Sequence, residues 1–84
     1  MIYTRWGSAV RIIRNCGQHK PKGFFQHVRL VLVAYLDNPS TTRYYFAETL
    51  KADDGIYEVF TQLSAAPAGN LGPETLAAAL REAE

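Results

Sequence analysis

Cys16, His19 and His27 are the residues of this chain whose types and proximity could do chemistry, as metal ligands or as a thiol with a base. A structural zinc ion takes four ligands, usually in paired CxxC or HxxxH spacings. No second cysteine and no third histidine exist, so neither a metal nor a cofactor is expected. A cysteine nucleophile needs a base oriented by a third group and a pair of oxyanion donors, and the sequence points to neither. Asp53-Asp54 reads as helix capping, and Glu82 with Glu84 as a solvated end. Gly17 and Gly23 are too far apart for a phosphate-cradling loop and precede a strand. These residues predict a protein that is not an enzyme and has no small-molecule substrate.

The cations are more informative. Formal net charge is +1 and the pI is about 7.9. Residues 1–36, however, carry Arg5, Arg11, Arg14, Lys20, Lys22 and Arg29 with no acid, a net of +6. Residues 37–84 carry three cations against eight acids, a net of −5. A basic half of this kind either neutralises the acidic half across the fold or presents a patch. Arg5, Arg11, Arg14, Lys20 and Lys22 are the candidate nucleic-acid contacts, supplying cations for phosphates beside Trp6, Phe24 and Phe25 as stacking rings. The pI lies below the basic values typical of nucleic-acid-binding domains.

The elements that position these residues fall in two blocks. Eighty-four residues make one domain, 1–84, with a single core. Ile2–Trp6 and Ala9–Arg14 read as strands, the second with Val10, Ile12 and Arg14 on one side and Ala9, Arg11 and Ile13 on the other. Residues 15–23 read as a loop, since two glycines and a proline interrupt a polar stretch. Val28–Leu36 is the clearest strand, and Asp37-Asn38-Pro39-Ser40 supplies the turn to a returning strand over Arg43–Leu50. The period then changes. Ile56, Val59, Phe60 and Leu63 fall at i, i+3, i+4 and i+7, which predicts a helix over 55–66 ending at Pro67. Pro73 suits the first position of a second helix with Leu76 and Leu80 on its inner stripe. The expected fold is α+β, an antiparallel sheet of three to four strands followed by two C-terminal helices on one side of it. An SH3-like small barrel with a helical tail is the alternative.

That arrangement leaves a difficulty on the sheet's other side. Strand 28–36 is apolar on both faces, and the face carrying Val31, Val33 and Tyr35, with Tyr45 from the returning strand, should meet water. Either the N-terminal segment and the aromatic loop cover it, or another molecule does. Val31, Val33, Tyr35 and Tyr45 are therefore the candidate partner-binding residues, for a homo-oligomer or a protein partner.

One cysteine forms no internal disulfide, no basic and apolar leader opens the chain, and no apolar run approaches the length of a membrane span. A cytoplasmic protein without membrane contact is expected. The segments Ile2-Tyr3-Thr4-Arg5-Trp6-Gly7-Ser8-Ala9-Val10-Arg11-Ile12-Ile13 and Tyr45-Phe46-Ala47-Glu48-Thr49-Leu50-Lys51-Ala52-Asp53-Asp54-Gly55 resemble small orphan proteins of bacterial mobile elements such as plasmids, phages and integron gene cassettes. The resemblance implies a bacterial accessory protein and transfers no site residues. Two functions follow as expectations: a non-catalytic module that self-associates or binds a protein through the apolar sheet face, or a nucleic-acid-binding module using the basic half.

Overall fold

In the computed structural model, which describes residues 1–84, the chain forms five strands and two helices in the expected order. They are β1 (Ile2–Tyr3), β2 (Ala9–His19), β3 (Val28–Tyr35), β4 (Asn38–Phe46), β5 (Lys51–Ala52), α1 (Tyr57–Ala65) and α2 (Pro73–Ala83), with one 3-10 turn over Ala47–Thr49. The strands make one antiparallel sheet in the order β4-β3-β2-β1-β5. The sheet is open, so the fold is α+β and the barrel alternative does not form. The additional strand is β5, two residues paired to β1 through Ile2 with Ala52 and Tyr3 with Lys51.

β2 runs through the stretch expected to be a loop. Asn15 and Gln18 pair with Val31 and Arg29 across an irregularity in register, and Gly17 accommodates it with φ +85°. The Asn15 side chain accepts the Gly17 N–H at 3.0 Å, a local bond that would otherwise favour a turn. The glycine that argued against a strand is what lets this one continue.

Both helices begin and end where local chemistry requires. Asp54 Oδ1 accepts the Glu58 amide at 3.2 Å, and Pro67 lies two residues beyond the last residue of α1. α1 buries Val59 and Leu63, one turn apart, while Ile56 sits at its exposed N-cap. α2 opens on Pro73 and buries Ala79 and Ala83, with Leu76 and Leu80 half-buried. Two alanines at the contact let the helix lie close to the sheet.

The helices occupy opposite faces. Val31, Val33 and Tyr45 pack with Val10, Ile12, Val59 and Leu63 under α1, whereas Leu30 and Phe46 pack with Cys16, Ala79 and Ala83 under α2. Alternation along β3 therefore feeds two cores, and burial of each valine contributes about 1.5–3 kcal/mol relative to exposure. The expectation of both helices on one side is corrected by the linker. After α1 the chain passes along the edge of β2 that the two-residue β1 leaves free. There the Asn15 N–H donates to Pro67 O at 2.9 Å and the Gly69 N–H to Asn15 O at 2.9 Å. A Cβ at Gly69 would lie 3.2 Å from Cys16 Sγ and 3.4 Å from Arg14 Cδ, so only glycine passes this close without displacing them. Turning that edge carries the chain from one face to the other.

Candidate functional site

Pairing decides which cations share a surface. Val10 and Ile12 face α1, and strict alternation would put Arg14 beside them. Instead Ile12 pairs with Val33 and Arg14 with Leu32, so Ile13 is an unpaired bulge residue and the phase of the strand flips. Arg11, opposite Ala34, and Arg14, opposite Leu32, thus stand on the same face, the one that carries α2, and both are exposed. The expected placement of Arg14 with Val10 and Ile12 is corrected, for a physical reason. On the α1 side its guanidinium would enter a dry core with no partner, at a cost of several kcal/mol, of order the whole stability of a small domain.

This face is only partly roofed. α2 lies along β4 and the adjoining part of β3, while α1 covers β2 and β5 from the other side. Over β2, β1 and β5 the α2 side of the sheet presents Arg11, Arg14, Tyr3 and Lys51. Tyr3 and Lys51 are placed there by their mutual pairing, because their neighbours Ile2 and Ala52 point into the α1 core. Lys51 is a cation of this surface that sequence reasoning missed. Its position depends on a pairing across nearly fifty residues, and no local pattern signals that.

The turn between β1 and β2 adds an aromatic group. Thr4 is buried, and its hydroxyl accepts the amides of Trp6 at 3.2 Å and Ser8 at 3.3 Å. Thr4 N–H donates to Ser8 O and Gly7 N–H to Thr4 O, each at 2.9 Å, and Gly7 takes φ +87°. Four bonds hold a turn whose outward residue, Trp6, is 72% exposed. The Arg5 guanidinium lies 5.2 Å from the centre of the Trp6 ring and donates to the O of Glu84, the residue after α2, at 3.3 Å.

At the far end of β2, Lys20 and Lys22 are exposed on the loop to β3. Phe24 N–H closes a turn on Pro21 O at 3.0 Å around Gly23, φ +91°. Phe24 anchors the loop edge-on to Phe46, centroids 5.5 Å apart, and its neighbour Phe25 is 96% exposed. The five predicted nucleic-acid residues thus divide: Arg11 and Arg14 on the sheet, Arg5 at one end, Lys20 and Lys22 at the other.

Neutralisation across the fold is limited. Arg29 pairs with Glu48 through its side chain at 2.9 Å and through its backbone amide at 3.0 Å, and stacks 4.8 Å from the Phe60 ring, which makes it part of the scaffold. The Met1 amino group meets Glu58 and Asp53. Arg5, Arg11, Arg14, Lys20, Lys22 and Lys51 form no salt bridge.

The predicted partner-binding residues lie elsewhere than expected. Val31 and Val33 are completely buried and Tyr45 is nearly so, all in the α1 core, with half-buried Tyr35 packed against them. They are core residues and not a docking surface, because α1 covers the face that was expected to be bare. The Tyr35 and Tyr45 hydroxyls share a hydrogen bond of 2.9 Å, and Arg43 stands 5.4 Å from the Tyr45 ring. Burial first, and that bond second, push the Tyr35 hydroxyl up to about 12. The exposed large apolar side chains are instead scattered: Met1, Trp6, Phe25 and Leu36, with Ile56 and Tyr57 at the start of α1.

The Cys16 thiol is free and buried, and burial pushes its pKa up, with the charge of Arg14 acting against this. His19 Nε2 lies 2.8 Å from the Cys16 carbonyl oxygen, so the ring is spent on backbone and not on the thiol. No group of three histidine, cysteine or acidic side chains is placed to hold a metal ion. No helix is long and apolar enough to cross a membrane. The chain matches no protein-family model, and no curated protein or solved structure is significantly similar to it.

Proposed function

We propose that the chain binds the phosphate backbone of nucleic acid through the part of the sheet that α2 leaves open, with Arg11, Arg14 and Lys51 on the strands and Arg5, Lys20 and Lys22 at the two ends of β2. The observation that carries this reading is the bulge at Ile13, which sets two exposed, unpaired guanidiniums side by side on one face. Their charge is spent on no internal acid and is free for an anionic polymer, where each neutralised phosphate releases condensed counterions. A cytoplasmic setting suits a domain whose one cysteine stays a buried thiol. The reading takes no residue role from the mobile-element resemblance.

Amide chemical-shift mapping at low salt with mixed oligonucleotides tests it. The expected result is a set of saturable shifts at 3–6, 9–14, 20–25 and 51. Silence throughout these segments, or shifts confined to the outer side of α1, would overturn the reading.

A further inference from the structure

We infer that the nucleic acid this surface takes is single-stranded, with an unpaired base laid on the Trp6 indole; this rests on the backbone-binding reading above and adds the form of the ligand. The elements that read duplex grooves are missing the charge to do so. α1 carries no lysine or arginine, and α2 carries Arg81 among Glu74 and Glu82. The hairpin of β3 and β4 turns through Asp37 and has no cation between Arg29, which is paired with Glu48, and Arg43. A helix or a two-stranded ribbon entering the major groove must pass between two rows of phosphates. These three elements would meet them with neutral or acidic surfaces.

The exposed aromatics point the same way. Trp6 is held out by a turn closed with four hydrogen bonds, one side of its ring near Arg5 and most of its surface in water. Phe25 stands free at the other end of β2 on a loop anchored by Phe24. Between them β2 spans about 30 Å of strand, with Arg11 and Arg14 along it. Bases in a duplex are already stacked on both sides, so an indole reaches their faces only after they are unstacked. A single strand offers its base faces freely while its phosphates follow the cations.

Trp6 is the one tryptophan of the chain, so its emission reports on this contact alone. Titration with oligo-dT, oligo-U and a duplex of equal length at low salt gives saturable quenching by single strands and little by duplex. The ratio of the two homopolymers shows which sugar is preferred. In anisotropy with a labelled single strand, Trp6→Ala weakens binding about tenfold or more and Trp6→Phe recovers part of the loss, with the salt slope unchanged in both. Equal affinity for duplex together with an unaffected Trp6→Ala variant would overturn the single-strand inference while leaving backbone binding intact. Absence of binding to any of the three ligands would overturn both.

Discussion

β2 and β3 lie side by side in the sheet, yet β3 is closed on both faces while the Ala9–Arg14 part of β2 is closed on only one. β3 sends Val31 and Val33 under α1 and Leu30 under α2, so neither half of its alternation meets bulk water. β2 sends Val10 and Ile12 under α1, but on its other side only Cys16 enters the α2 core, and Arg11 and Arg14 stand exposed. The difference shows how a strand of one small domain is assigned to packing or to binding. A strand apolar on both sides marks the middle of a layered sandwich. A strand apolar on one side and cationic on the other marks the part of the sheet that a helix covers from one side alone, and here a bulge keeps the uncovered side basic.

The harshest way to break the comparison is to charge the closed strand. Val33→Asp puts an unpaired carboxylate in the α1 core at a cost on the order of 3–5 kcal/mol, enough to abolish a cooperative urea transition followed by circular dichroism. Tyr45→Ala costs a comparable amount, about 3–5 kcal/mol, and lowers the melting temperature while the sedimentation coefficient stays unchanged. A folded Val33→Asp variant with altered association would restore the sheet face as an interface.

Next in size is the crossing that puts the helices on opposite faces. Gly69→Ala presses a methyl group against Cys16 Sγ and the Arg14 stem and costs about 1–3 kcal/mol. In a Cys16→Ala background the cost falls, because the nearest of those atoms is gone. Equal costs in both backgrounds would show that the linker does not pass between them as described.

The smallest expected effect is the alkaline limb of stability. An unfolded tyrosine titrates near 10, whereas Tyr35 in the fold is pushed up to about 12. The folded state therefore holds this proton more tightly, and the stabilisation is complete below pH 10 and lost as pH rises through about 12. Tyr35→Phe flattens this part of the stability–pH profile measured by denaturant unfolding. An unchanged profile would remove the hydroxyl pair from the account.

Much of the scaffold was legible because its signals are local. The β3–β4 hairpin follows from an apolar run, although its turn lies at Leu36-Asp37 and β4 takes Asn38–Phe46 where Arg43–Leu50 is expected, and the helices follow from the spacing of Val59 and Leu63, from Pro67 and from Pro73. The site was legible only as residue types. That Arg11 and Arg14 share a face depends on a bulge whose register is set by β3, and strict alternation along Ala9–Arg14 separates them. That Lys51 joins them depends on its pairing with Tyr3. Val31, Val33 and Tyr45 read as a surface only if both helices lie on one side, and in the fold α1 covers them. The opposite placement of the helices comes from the linker rounding the free edge of β2 at Asn15, a tertiary contact with no local pattern.

In the proposed function the two bulge-aligned guanidiniums neutralise phosphates. The salt dependence of single-strand binding, compared between the native chain and Arg11→Ala/Arg14→Ala, tests it most directly. Each phosphate neutralised contributes about −0.7 to the slope of log K against log salt. The double variant is expected to keep its stability within about 0.5 kcal/mol, since both side chains are exposed, and to show a slope shallower by about 1.4. A slope equal to that of the native chain would contradict it.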